Sequence, residues 1–328
     1  MSARVGDSAL LRRVTHPDLV RVAGAGYLQQ LEADLAASDR QVLMRTRFAL
    51  EALISSVKSA LEAGPDLTPS DVPFTWDLMA KVPPRDAQYF MNQYQLGWGS
   101  DGAGLIAVGT EQNFSPDADQ GLGALTLDCA NQIIWLIRSK PELMIRFGHG
   151  PEWDLQFTPD AASQRGPYHV YTSSYHSSRG SGTWQYIGRH LLGGGDLDWR
   201  AKLGAGCYQI ELKADPAPRA HLGGVIRTGR LRFLGHALRV LSETATVALF
   251  HGVGTHDSAR QLAPAFLGVE RLPAPAEEDR IAGRDGRNRP YTVYRANHRR
   301  VILTWALNGL AINRDQAYLT RIRDLVSG

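Results

Sequence analysis

The chain has 328 residues, 43% hydrophobic and 21% charged, with 33 glycines and 17 prolines, which excludes collagen-like and disordered classes and leaves room for one large domain or for two or three smaller ones. Thirty-six Lys+Arg against 33 Asp+Glu give a net charge of +3, not gathered into a basic stripe, so nucleic-acid binding is not expected. Two cysteines, Cys129 and Cys207, exclude a disulfide framework. No apolar run reaches the ~18–20 residues a membrane-spanning helix needs. The start MSARVGDSALLRRV has no signal-peptide core, so the expectation is a cytoplasmic protein, with export by a specialised secretion machine left open.

Residues 1–64 read as a helical region. Val42, Leu43, Thr46, Ala49, Leu50, Leu53, Ile54, Val57 and Leu61 recur at three- and four-residue steps behind an N-cap candidate at Ser38, and Gly64-Pro65 stops the pattern. Residues 65–119 are punctuated by Pro65, Pro69, Pro73, Pro83, Pro84 and Pro116 and read as a loop-rich connector, with one short apolar run at Gly104–Gly109. Residues 120–328 read as an α+β domain with a C-terminal strand-rich extension. In it, Ala124–Leu127 leads through Asp128-Cys129 into a helix over 130–140 that is apolar nearly all round, hence a buried central helix. Short strands are expected at 168–171, 208–213, 220–226, 230–233, 245–250, 291–294 and 301–306, and their two-residue alternation predicts an antiparallel sheet. Residues 273–289 read as a long loop.

Cys129 sits where the chain enters that helix, and the unpaired amides and positive dipole end of a helix start favour a thiolate. A nucleophilic thiol needs a histidine to exchange protons, and that histidine usually comes from a distant strand. His221, opening Ala220–Arg227, is placed suitably. His169, within Pro167–His176, competes with it as general base; His176 lies in the same stretch.

Asp128-Cys129 opening an apolar helix with Trp135, then Gly206–Leu212, Ala220–Ile226 and Gly229–Phe233, resembles the layout of papain-like effector cysteine proteases and glutamine deamidases or transglutaminases of bacterial pathogens, over about residues 120–240. The resemblance implies a papain-like fold, a central helix packed on an antiparallel sheet, and cysteine-dependent acyl transfer on a protein carboxamide or peptide bond. In it Cys129 is nucleophile and His221 general base. The family's carboxylate or amide orienter falls on His236 here, with Glu243 and Asp257 as substitutes, and Gln120 is the candidate oxyanion-hole amide. No cofactor is implied, and a protein is the implied substrate.

Three alternatives stand beside it. Lys202–Cys207 followed by a strand, with His221 fourteen positions on, resembles the glutamine deamidases of the necrotizing-factor and chemotaxis-deamidase group, which would make Cys207 the nucleophile. Ala248–Ala259 is similar to the His-Gly turn of ADP-ribosyltransferase domains, which would give His251 a nicotinamide ribose to hold. The spacing of His251, His256 and Asp257 does not fit a metal site. Gly193–Gly195 reads as a hairpin or lid, with Trp184, Tyr186 and Trp199 as candidate groove aromatics. A non-enzymatic α+β interaction protein, with both cysteines in the core, is the contrasting class.

Overall fold

The structure is a computed structural model that describes residues 16–37, 42–99, 102–109, 129, 132–133, 136–137, 143, 183, 186–195, 199–213, 228–252, 256–283, 286–305, 307 and 315–328. Its centre is a seven-stranded mixed sheet: β1 Trp98–Gly99, β2 Leu105–Gly109, β3 Cys207–Glu211, β4 Val247–His251, β5 Glu277–Ala282, β6 Asn288–Ala296 and β7 Arg299–Thr304, in the spatial order β1-β3-β2-β4-β7-β6-β5. The protein is therefore mixed α+β, as expected. Its four inner strands β3, β2, β4 and β7 are mutually parallel, however, and only β1, β6 and β5 run antiparallel to their neighbours. Strands covered on both faces read as continuous apolar runs, and β2 and β4 are buried along their whole length.

Side-chain alternation divides the sheet into two faces. Ile106, Val108, Tyr208, Ile210, Ala248, Phe250, Val301 and Leu303 pack in one core with α1 Pro17–Ala37, α5 Thr228–Leu241 and α6 His256–Leu267. Leu105, Ala107, Cys207, Val247, Leu249 and Ile302 pack in a second core with Tyr186, α4 Trp199–Gly206 and α7 Gln316–Ser327. A third core lies among the N-terminal helices: Tyr27 and Leu31 of α1 and Ala49, Leu50, Leu53 and Val57 of α2 Met44–Ala63 close around Phe74, Met79 of the short α3 Trp76–Met79, Phe90, Cys129 and Ile133. Leu19, Val20 and Ala23 of α1 also belong to the first core, so this helix joins the N-terminal layer to the sheet.

Several expectations change. The apolar run 104–109, read as part of a connector, contains β2, which pairs in parallel with both β3 and β4. Residues 230–233, read as a strand, lie inside α5. Its buried positions Arg230, Phe233, Leu234, Ala237, Leu238 and Leu241 follow helical spacing over twelve residues and override a four-residue alternation. The loop expected over 273–289 contains β5 and the start of β6. Asn297 and His298, both at positive φ (49° and 62°), form the two-residue turn between β6 and β7, the conformation that suits the twist of a tight hairpin. Among the described residues no helix is long and apolar enough to cross a membrane.

Candidate functional site at the carboxyl edge of the sheet

The residues singled out from sequence do not come together as one described site. Cys129 is helical and fully buried in the N-terminal core. Its sulfur lies 3.1 Å from the Tyr27 hydroxyl and 3.6 Å from the Phe90 carbonyl oxygen, to which Tyr27 also donates at 2.9 Å. Next to it, Asn92 donates to the Gln132 side-chain oxygen at 3.0 Å. These contacts tie the helix carrying Cys129 to the segment around Phe90. Cys207 begins β3, fully buried in the second core, and burial pushes its thiol well above the ordinary range. A thiol held neutral and away from water is the inert kind. His236 lies on α5 with a buried Nε2 that has no hydrogen-bond partner. Glu243 and Asp257 are exposed, the first 4.0 Å from the His16 imidazole and the second 3.8 Å from Arg260. Gln120, His169, His176, Trp184 and His221 lie outside the described residues.

Tyr186 and Trp199, expected at a groove, are buried in the second core, where the Tyr186 hydroxyl donates to the Leu319 carbonyl at 2.9 Å. In the turn Gly193–Gly195 the outer glycines are exposed and only the middle one is packed: a Cβ on Gly194 would stand 2.5 Å from the Trp199 Cα. Its amide donates to the Gly188 carbonyl at 2.9 Å.

A different constellation emerges from the topology. From β2 the next parallel strand, β3, lies on one side; from β4 the next, β7, lies on the other. Where connections diverge in this way, the loops leave an opening at the carboxyl ends of the strands, and ligands of open α/β sheets bind there. The register places Glu211 beside Gly109 and His251 beside Thr304 at that edge. By alternation all four lie on the face of Ala107, Gln209, Leu249 and Ile302. A Cβ on Gly109 would meet the Glu211 carboxylate oxygen at 2.1 Å, so that carboxylate lies across the end of β2, about one strand spacing, ~5 Å, from β4 and His251.

The electrostatics of the edge are specific. His251 is buried, and burial lowers its pKa to about 4, so near pH 7 its imidazole is neutral and works as one donor and one acceptor. Thr304 donates to the Phe250 carbonyl at 3.3 Å. Farther along, past β7, Arg289 and Asp315 form a buried ion pair. On the other side Arg230, with no exposed surface, donates to the carbonyls of Gln93 (3.1 Å), Gln95 (2.7 Å) and Glu211 (2.6 Å). This guanidinium fixes the end of β3 and with it the backbone that carries Glu211. The helix α6 starts five residues after His251 and directs the positive end of its dipole toward the same edge.

Sequence reasoning had noticed His251 for another reason and missed Glu211, Gln209, Thr304, Arg289 and Asp315. One signal was available: the polar half of the Tyr208–Lys213 alternation becomes a covered row, Gln209 buried and Glu211 half-buried, once both faces of the strand are packed. Comparison with protein-family models, with curated proteins and with solved structures finds no match.

Proposed function

We propose that the chain is a small-molecule-binding α/β protein whose site is the carboxyl edge between β2 and β4, with Glu211 and His251 as the groups that meet the ligand. The observation carrying this reading is the alignment of the Glu211 carboxylate and the buried His251 on one face, on either side of Gly109, at the divergence of the strand connections. Gly109 carries no side chain and the Glu211 carboxylate lies over it, so a polar ligand at this edge would meet a carboxylate, a neutral imidazole and a hydroxyl. Such a mix of few polar groups among apolar walls is how small-ligand sites obtain orientation. The test is a thermal-shift screen of the full chain against nucleosides, sugar phosphates and amino acids, repeated with Glu211→Gln and His251→Asn. Binding weakened tenfold or more by both changes supports the reading; binding indifferent to both overturns it.

Cysteine-dependent acyl transfer by Cys129 and His221 in a papain-like layout stands as a second proposal, supported by the helical state of Cys129. It requires the N-terminal helical layer to part, because substrate must reach a sulfur that is fully buried beside Tyr27. Iodoacetamide labelling of the native protein decides it: modification of Cys129 as fast as a free thiol, lost on Cys129→Ala together with hydrolysis of a glutamine-containing peptide, would favour this chemistry. Protection of Cys129 until unfolding would remove it.

A further inference from the structure

Gln209 occupies the middle of β3, paired with Trp98 of β1 on one side and Ala107 of β2 on the other. Its residue is only 2% exposed, and neither its side-chain nitrogen nor its side-chain oxygen has a hydrogen-bond partner. Buried carboxamides are almost always satisfied, and one with both ends open calls for a cause. Nothing in strand packing asks for glutamine here, since Ala107, Leu249 and Ile302, in register on the same face, are apolar. One step toward the strand end on that face stand Glu211 and Gly109. Between Gln209 and His251 the face of β2 carries only the Ala107 methyl and Gly109, over which the Glu211 carboxylate lies.

We propose that Gln209 reads the ligand of this edge through a paired donor–acceptor contact, and that the ligand therefore carries a planar edge with an N–H donor next to an acceptor, as an adenine ring or a primary carboxamide does. The inference rests on the carboxyl-edge reading and deepens it. A carboxamide offers one acceptor and two donors in one plane, and glutamine meets adenine through two parallel hydrogen bonds of this kind. The same two atoms that are unsatisfied in the free protein would be satisfied together by a single ligand edge.

The experiment uses two probe pairs on the full chain, adenosine against purine riboside and nicotinamide against pyridine, with affinities from calorimetry. Each second member lacks the donor. The expected result is a preference of tenfold or more for adenosine or for nicotinamide, abolished in Gln209→Met, while the melting temperature of that variant stays equal to or above that of the unsubstituted chain because two orphaned polar atoms are gone. Gln209→Leu serves if the Met variant does not fold. No preference in either pair, or a preference surviving in the variant, overturns the inference. Loss of binding in Glu211→Gln with no effect of Gln209→Met overturns it but leaves the edge as the binding site. Binding untouched by both substitutions overturns both.

Discussion

Arg230 is the single side chain on which the geometry of the edge most depends, and its replacement by methionine gives a quantitative test. The guanidinium is completely buried and holds three carbonyl oxygens at 2.6–3.1 Å, two from the segment before β1 and one from the last residue of β3. Hydrogen bonds to a charged donor contribute about 1.5–3 kcal/mol each. Three of them would give roughly 5–9 kcal/mol, against which stands the several kcal/mol needed to desolvate the cation. Arg230→Met removes the bonds and the desolvation cost together, so the expected net loss is about 2–4 kcal/mol. Arg230→Lys keeps the buried charge but reduces a planar fork to a point donor that cannot span three acceptors, and it should lose at least as much as Met. Urea unfolding monitored by fluorescence and circular dichroism, with the midpoint and slope fitted separately, measures both. Losses below about 1 kcal/mol in both variants, with unchanged slopes, would refute the view that this residue clamps β3 to the segment before β1.

The pH dependence of stability has a definite sign at His251. Its folded pKa, about 4, lies below the ordinary 6.5, so its contribution is complete above pH 6.5 and is lost as pH falls toward 4, amounting to about 3 kcal/mol across that window; His251→Gln should flatten this part of the urea-midpoint profile. Gly109→Ala places a Cβ 2.1 Å from the Glu211 carboxylate oxygen. That oxygen ends a flexible side chain, so urea unfolding should show a stability change within about 1 kcal/mol, whereas ligand binding measured by calorimetry should disappear. On α7, Arg321 pairs with Glu277 and donates to the Tyr291 hydroxyl at 3.3 Å, and the ion pair holds the Glu277 carboxyl below its usual range. Because Arg321 is 40% exposed, Glu277→Gln should cost less than about 1 kcal/mol in urea unfolding, with the difference fading in high salt.

Elements with a long regular pattern were legible from sequence. The three- and four-residue recurrence of apolar positions finds the stop of α2 at Gly64 and its buried Thr46, Ala49, Leu50, Leu53 and Val57, because a helix on a core must repeat its buried stripe whatever it packs against, but the helix starts at Met44 and leaves Val42 and Leu43 ahead of it. Strands expected at 208–213, 245–250, 291–294 and 301–306 correspond to β3, β4, β6 and β7. Which neighbour each strand takes was not legible: Tyr208–Lys213 alternates as an antiparallel edge would, yet it lies beside β2 in parallel, with Gln209 and Glu211 turned into a covered face. Local pattern fixes period; register and direction depend on crossovers that bring residues 105–109, 207–211 and 247–251 side by side from far apart in the chain.

The candidate site shows the same division. Composition and periodicity are enough to establish a mixed α+β protein with an ordinary core, two thiols outside any disulfide framework, and no concentration of positive charge. The folded arrangement packs Cys129 against Tyr27 in the N-terminal core, puts Arg230 on a helix where it reaches three carbonyls, and lines one edge with Glu211, Gly109, His251 and Thr304. The physical reason is that a thiol's chemistry and a carboxylate's neighbours are set by burial and by contacts between residues tens to more than a hundred positions apart, and neither quantity is written in the spacing of residues along a chain.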